Sequence, residues 1–283
     1  MGQNRQPTAS LSESLTARSL FCQANCLICL VHRIGTRPII RSCQTWSHMA
    51  ENQVFTLAAI AIFPMARVVP ENASLAGLPA AYIVQQVADF RNGARRTAIS
   101  TRGPPKLMTE LSVVATDAEI KAAAEYFSKL RPQFRIKVIE TDTVPRTHVA
   151  GWMLAVDKAG PREPIGQRVI EVPENVEQFE HRDARSGFVA YVPVGAVKAG
   201  KELVSSGGLN KTLACTGCHG VDLKGTESIP GIAGRSPSYV MRQLFDIQSG
   251  LRAGINIAPM TEVVKRLSIV EMIDISSYLA TVH

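Results

Sequence analysis

No cysteine occurs in the 171 residues between Cys43 and Cys215. The six cysteines stand at 22, 26, 29, 43, 215 and 218, four crowded near one end and two placed three apart near the other. That is not a disulfide framework spread through a fold. No run of 18 apolar residues exists, so no ordinary helical membrane span is indicated. Aromatics are few, at 6%, and no Lys/Arg-rich run is interleaved with them. The footprint of a nucleic-acid binder is missing. Acid is scarce at the start. Residues 1–69 hold six arginines against Glu13 and Glu51, which gives +4 of the formal net charge of +7 and leaves +3 for the other 214 residues. The basic balance belongs to a tail.

That tail lacks a hydrophobic period. Residues 1–48 have the Ser/Arg-rich composition of an organellar transit peptide, or of a spurious leader. Cys26-Leu27-Ile28-Cys29 places two thiols three apart, but Leu30 follows where a ligand would be wanted, so these cysteines read as incidental. Val54 to Phe63 is an apolar run like the core of a secretory signal, yet Glu51 precedes it and no basic residue stands close before it.

After Pro70 the pattern turns regular. Pro79 and Gly93 bracket an amphipathic helix over about 80–92. A Gly/Pro/Arg-rich loop from Gly93 to Lys106 ends at Leu107-Met108-Thr109-Glu110. Thr116 with Glu119 is a capping box that opens a helix to about Leu130. Residues 133–190 carry strand signals: Phe134, Ile136 and Val138 alternate with polar residues, and 149–156 and 168–172 are short apolar runs. Glu174 to Arg185 is charged. Helical spacing resumes over about 197–205, again from Ser236-Pro237 to Ser249, and after a second capping box, Ser268 with Glu271, to about Thr281.

The two helical ends match each other. With Tyr82 set on Tyr239, an offset of 157, residues Ala76, Gly77, Tyr82, Gln86, Asp89, Gly93 and Arg95 fall on Ala233, Gly234, Tyr239, Gln243, Asp246, Gly250 and Arg252. At offset 152, Met108-Thr109-Glu110 falls on Met260-Thr261-Glu262 and the capping boxes coincide. A shared apolar period would match apolar positions alone. Matching Gly, Asp, Gln and Met indicates a tandem duplication.

One stretch carries chemistry: Cys215-Thr216-Gly217-Cys218-His219. Two thiols followed at once by a histidine are the attachment signature of c-type haem. The same three side chains also suit a zinc module, though without a clear fourth ligand. Residues 194–283 resemble class I cytochrome c through Cys215, Cys218, His219, the Pro230-Gly231-Ile232-Ala233-Gly234 loop and Met260. With the repeat, 70–283 resembles a tandem, dihaem-type bacterial cytochrome c. The resemblance implies that Cys215 and Cys218 hold the porphyrin as thioethers. It implies that His219 is the proximal ligand with the Pro230 carbonyl fixing its ring, and that Met260, on a loop, is the sixth. The metal ligands would be His219 and Met260.

The fold so implied is mainly α. Two tandem cytochrome c-like helical domains, 70–132 and 194–283, are joined by a β-containing connector, 133–193, and preceded by an irregular tail, 1–69. The implied function is electron transfer by one haem c between redox partner proteins such as a respiratory complex, an oxidase or a dehydrogenase, in the periplasm. Neither nucleic acid nor membrane is implied as a partner. The alternatives are a cytochrome subunit of a dehydrogenase, or a peroxidase-like haem enzyme. The first copy keeps Met108 but has Ala58-Ala59-Ile60-Ala61-Ile62 where a second attachment motif belongs. A second haem is expected only in an intact first domain, and residues 1–69 read as a mis-framed or leader segment. Tyr239 and Tyr278 read as packing residues. His148, His181 and His283 show no partner pattern.

Overall fold

The computed structural model describes residues 74–283, apart from 101, 134, 151–152, 158 and 182–184. The tail, its four cysteines and the apolar run at 54–63 lie outside the described residues.

The first helical set is α1 Ala80–Arg91, α2 Gly103–Val114 and α3 Asp117–Ser128. Gly93, at φ +75°, turns the chain out of α1. The box at the start of α3 is formed on both sides: Thr116 Oγ accepts from Glu119 N, and Glu119 Oε2 accepts from Thr116 N. Among the described residues, seven short strands follow: β1 Ile136–Glu140, β2 Thr143–Pro145, β3 Thr147–Ala150, β4 Met153–Val156, β5 Arg162–Pro164, β6 Ile170–Pro173 and β7 Phe188–Val192. The charged stretch forms a single turn of helix, α4 Val176–Glu180, capped by Asn175. β7 is the middle strand of a mixed sheet, parallel to β1 and antiparallel to β6. The pairs β2–β5 and β3–β4 are antiparallel ribbons. His148 in β3 sets Nδ1 2.5 Å from Asp157 Oδ1, a pairing that had no sequence signature.

The second set is α5 Ala196–Asn210, α6 Thr216–His219, α7 Pro237–Gln248, α8 Ala258–Val264 and α9 Ile269–Leu279. Helical geometry in α5 gives way at Gly207, Gly208 and Leu209, which carry positive φ. α5 and α9 cross closely at Gly200, where a Cβ would stand 2.0 Å from the Asp274 carbonyl oxygen. The main core forms here from Leu203, Val204, Val240, Leu244, Ile247, Val264, Met272, Ile275 and Leu279, among others. The first set has a much smaller core of Leu78, Ile83 and Ala124. The connector has its own, of Val144, Ile165, Ile170 and Val172.

Two expectations are corrected. Met108 and Met260 were placed on loops, yet both lie in helices, α2 and α8. Each of these helices has Pro in its first two positions. There the missing N–H has no helical partner to lose and the fixed φ suits the helix. Proline started a helix where composition suggested irregular chain.

The duplication is visible in bonds as well as in letters. Arg91 in α1 donates to the carbonyls of Ser112 (2.7 Å) and Ala115 (2.8 Å), at the C-terminal end of the Met-bearing helix. Gln248, its equivalent in α7, donates to the carbonyls of Val264 (2.6 Å) and Leu267 (2.8 Å). Different side chains tie the same two backbone positions.

Candidate functional site

The attachment motif hangs from α5. The amide of Cys215 donates to the Val204 carbonyl at 2.9 Å. His219 N then donates to Cys215 O at 2.9 Å, which closes one helical turn and sets both thiols and the imidazole on it. Both cysteines are free thiols; Cys215 is half-buried and Cys218 exposed. Burial pushes the Cys215 thiol up to about 11, so it is neutral at physiological pH. A Cβ at Gly217 would meet nothing, so the turn presents no bulk between the sulfurs.

His219 is buried, and its Nδ1 lies 2.7 Å from the Pro230 carbonyl oxygen. Burial pulls the imidazole below its ordinary value and outweighs the bond to Pro230, which acts the other way. The neutral ring with Nδ1–H donating leaves Nε2 with a free lone pair. The loop bearing Pro230 is tied tightly. Gly225 N donates to His219 O at 2.9 Å, and a Cβ on Gly225, at φ +88°, would run into Ile229 O and Gly231 N. Met260 and Cys215 both pack against the same hydrophobic core. These residues fit a haem c: Cys215 and Cys218 could form its thioethers, and His219 and Met260 could hold its iron. Among the described residues, no three His, Cys, Asp or Glu side chains come together to hold a metal ion. Among the described residues, the zinc reading lacks its donor set.

The first helical set does not fit such a group. Residues 74–132 contain no cysteine and no histidine. Met108 is half-buried in α2 without either partner.

The structure adds a second cluster that the sequence reading did not assemble. Where the two helical sets meet, Arg95 and Arg252 form an antiparallel bridge, with Arg96 N donating to Leu251 O (2.7 Å) and Ala253 N to Ala94 O (2.8 Å). Their guanidinium groups cross. Arg95 donates to Gln86 (2.8 Å) in its own copy and to Tyr239 and Gln243 (3.3 Å each) in the other. Arg252 donates to Gln243 (3.0 Å) in its own copy and to Tyr82 (2.8 Å) and Gln86 (2.9 Å) in the other. Each bond has its mate 157 residues on, so the junction has local two-fold symmetry. Burial pushes the Tyr239 phenol up, but Arg95, Arg252 and Arg235 around it bring it below its ordinary value. Tyr239 is therefore more than the packing residue it was read as. The signal was present: three of the seven repeat identities are these side chains, paired as Tyr82/Tyr239, Gln86/Gln243 and Arg95/Arg252.

No family model matches the chain. A cytochrome c4 from Azotobacter vinelandii is 32% identical over 140 residues, 44% of this chain and 66% of that protein. A thiosulfate dehydrogenase electron acceptor from Thiomonas intermedia is 25% identical over 209 residues, 73% of this chain and 68% of the relative. The chain spans about two thirds of the length of these curated relatives. Among solved structures, reduced recombinant cytochrome c4 from Pseudomonas stutzeri matches with a TM-score of 0.53 at 19% identity, over 80% of this chain and 94% of that one. That likeness is one of fold, with two cytochrome c domains in tandem.

Proposed function

We propose that this chain, which belongs to the class I c-type cytochromes and carries electrons on covalently bound haem c, receives them from a dehydrogenase of a reduced inorganic sulfur compound. The chain is an electron carrier and not an enzyme in its own right. The sulfur-compound partner is supported by the Thiomonas relative, an electron acceptor for thiosulfate dehydrogenase, which matches along most of this chain.

The observation that carries the site is the His219 ring, buried directly after two free thiols with Nδ1 committed to Pro230. In this reading Cys215 and Cys218 would form the thioethers, and His219, through Nε2, and Met260 would hold the iron. Haem supplies one-electron exchange at its iron. The chain's residues supply the rest. Pro230 fixes the imidazole's orientation and raises its basicity. The thioether of Met260 favours the ferrous state, so His/Met ligation raises the potential. With His219 and Met260 both holding the iron, the site would serve electron exchange and would not bind oxygen or substrate.

One haem belongs to the domain at 194–283. The domain at 70–132 is a cytochrome c-like unit without an attachment site, and 133–193 is the connector between them. The compartment proposed is the periplasm, on the strength of the family. No helix among the described residues is long and apolar enough to cross a membrane.

The test is the protein matured in a host that attaches haem c. One haem per chain, a low-spin spectrum with the weak charge-transfer band of Met ligation, and reduction by thiosulfate with its dehydrogenase support the proposal. A chain without a Soret band removes the site. A high-spin ferric haem removes Met260 and favours the peroxidase-like alternative.

A further inference from the structure

The connector reaches the haem-bearing half through one buried carboxylate. Glu171 lies in β6, a strand buried at every position, and is itself only 4% exposed. Its Oε2 accepts from Ser236 Oγ (2.6 Å), Ser238 Oγ (2.7 Å) and Ser238 N (3.3 Å). These groups form the first turn of α7, and Ser236 is its N-cap, accepting from Tyr239 N with the same hydroxyl that donates to Glu171. A carboxylate at a helix N-terminus is held by both the free N–H groups and the helix dipole.

What Glu171 fixes bears on the histidine. Arg235 precedes the N-cap, and its Nε donates to Gly231 O at 3.1 Å. Gly231 follows Pro230, whose carbonyl receives the His219 ring. The strap from Pro230 to Ser236 is seven residues long. It is pinned at one end by Glu171 through Ser236, in the middle by Arg235 on Gly231, and at the other end by His219 on Pro230.

We infer that Glu171 is a positioning residue for the haem, setting the hydrogen bond on the axial histidine from outside the cytochrome domain. This rests on the assignment of His219 to the iron. Two effects act in one direction. A held Pro230 carbonyl keeps the Nδ1–H bond short, which makes the imidazole a stronger donor to the ferric iron. A carboxylate buried in β6 against the end of the strap favours the more positive, oxidised iron. Both lower the reduction potential.

The experiment compares haem-loaded Glu171→Gln and Ser238→Ala with the parent chain. Potential is read by spectroelectrochemistry, and hydrogen exchange of the His219 ring N–H by proton NMR on the reduced protein. Glu171→Gln removes the charge and keeps the shape. Ser238→Ala keeps the charge and removes one tie. The expected result is a potential raised above the parent in both variants, more in Glu171→Gln, with faster ring N–H exchange and unchanged haem content. Should Glu171→Gln fail to fold, Ser238→Ala decides by the same two readings. Variants that fold, hold haem and keep the parent potential and exchange rate overturn the inference. A parent chain that takes up no haem would overturn the functional assignment instead, so the two failures are distinguishable.

Discussion

Arg252 donates through Nη2 to the phenol oxygen of Tyr82 at 2.8 Å, across 170 residues of chain. Arg95 makes the mirror contact to Tyr239 at 3.3 Å. The junction between the two helical sets is built from the residues the duplication kept. Arg252 is nearly fully buried at this junction, with an acceptor in each copy. Its attachment to α7 and to Tyr82 at once makes the two halves interdependent.

Tyr82→Phe removes one charge-assisted bond at a buried site and should lower stability by about 1.5–3 kcal/mol. Urea denaturation of the haem-loaded chain measures this. A loss below a few tenths of a kcal/mol would show that the junction contributes little.

Met260→Ala should leave haem attached, since the thioethers do not depend on it. The potential should fall, because the sixth position loses the thioether that favours ferrous iron. Added imidazole should then bind with a visible shift of the Soret band. An unchanged potential would take Met260 out of the site.

Gly200→Ala places a methyl against the Asp274 carbonyl, where backbone on both sides has little room to give. The cost expected from overpacking is about 1–3 kcal/mol. Thermal melting followed at the Soret band should show a lower midpoint with haem content unchanged.

Burial, and after it the neighbouring Glu271, push Asp274 from 3.8 up to about 6. Between those values the folded chain binds more protons than the unfolded one. This carboxyl's contribution to stability is therefore present at low pH and lost as pH rises toward and through about 6. Asp274→Asn should flatten the pH dependence of the urea midpoint across that window and raise the midpoint at pH 7. A parallel pH profile for the parent and the variant would rule this out.

Amide hydrogen exchange should divide the chain. Helices α1 to α3 enclose a small core around Leu78, Ile83 and Ala124, whereas α5, α7 and α9 enclose the large one. Local opening costs less where fewer apolar contacts must be broken. Amides of 80–128 should exchange faster than those of 237–279, and equal protection would show that the first set has another source of stability.

The capping boxes at Thr116 and Ser268 were legible because a cap is a local event, four residues choosing partners within one turn. The attachment turn 215–219 was legible for the same reason. The helical placement of Met108 and Met260 was missed because Gly and Pro dominated the local reading, while Pro104 and Pro259 stood at the position that favours helix. Strand β7, Phe188–Val192, was not singled out in the sequence, since its order comes from β1 and β6 on either side.

The sequence by itself determined that the chain is a duplication and singled out the turn proposed to carry the chemistry, since spacing along one turn and identity at a fixed offset are properties of the chain. It could not say what the matched Tyr, Gln and Arg do. Their bonds join positions 144 to 170 residues apart, and no local rule links them. Tertiary structure alone decided that these residues form a two-fold junction, and that Glu171 of the connector meets α7 at Ser236. Hydrogen bonds between side chains depend on placement to within an ångström, and that placement comes only from packing the whole fold.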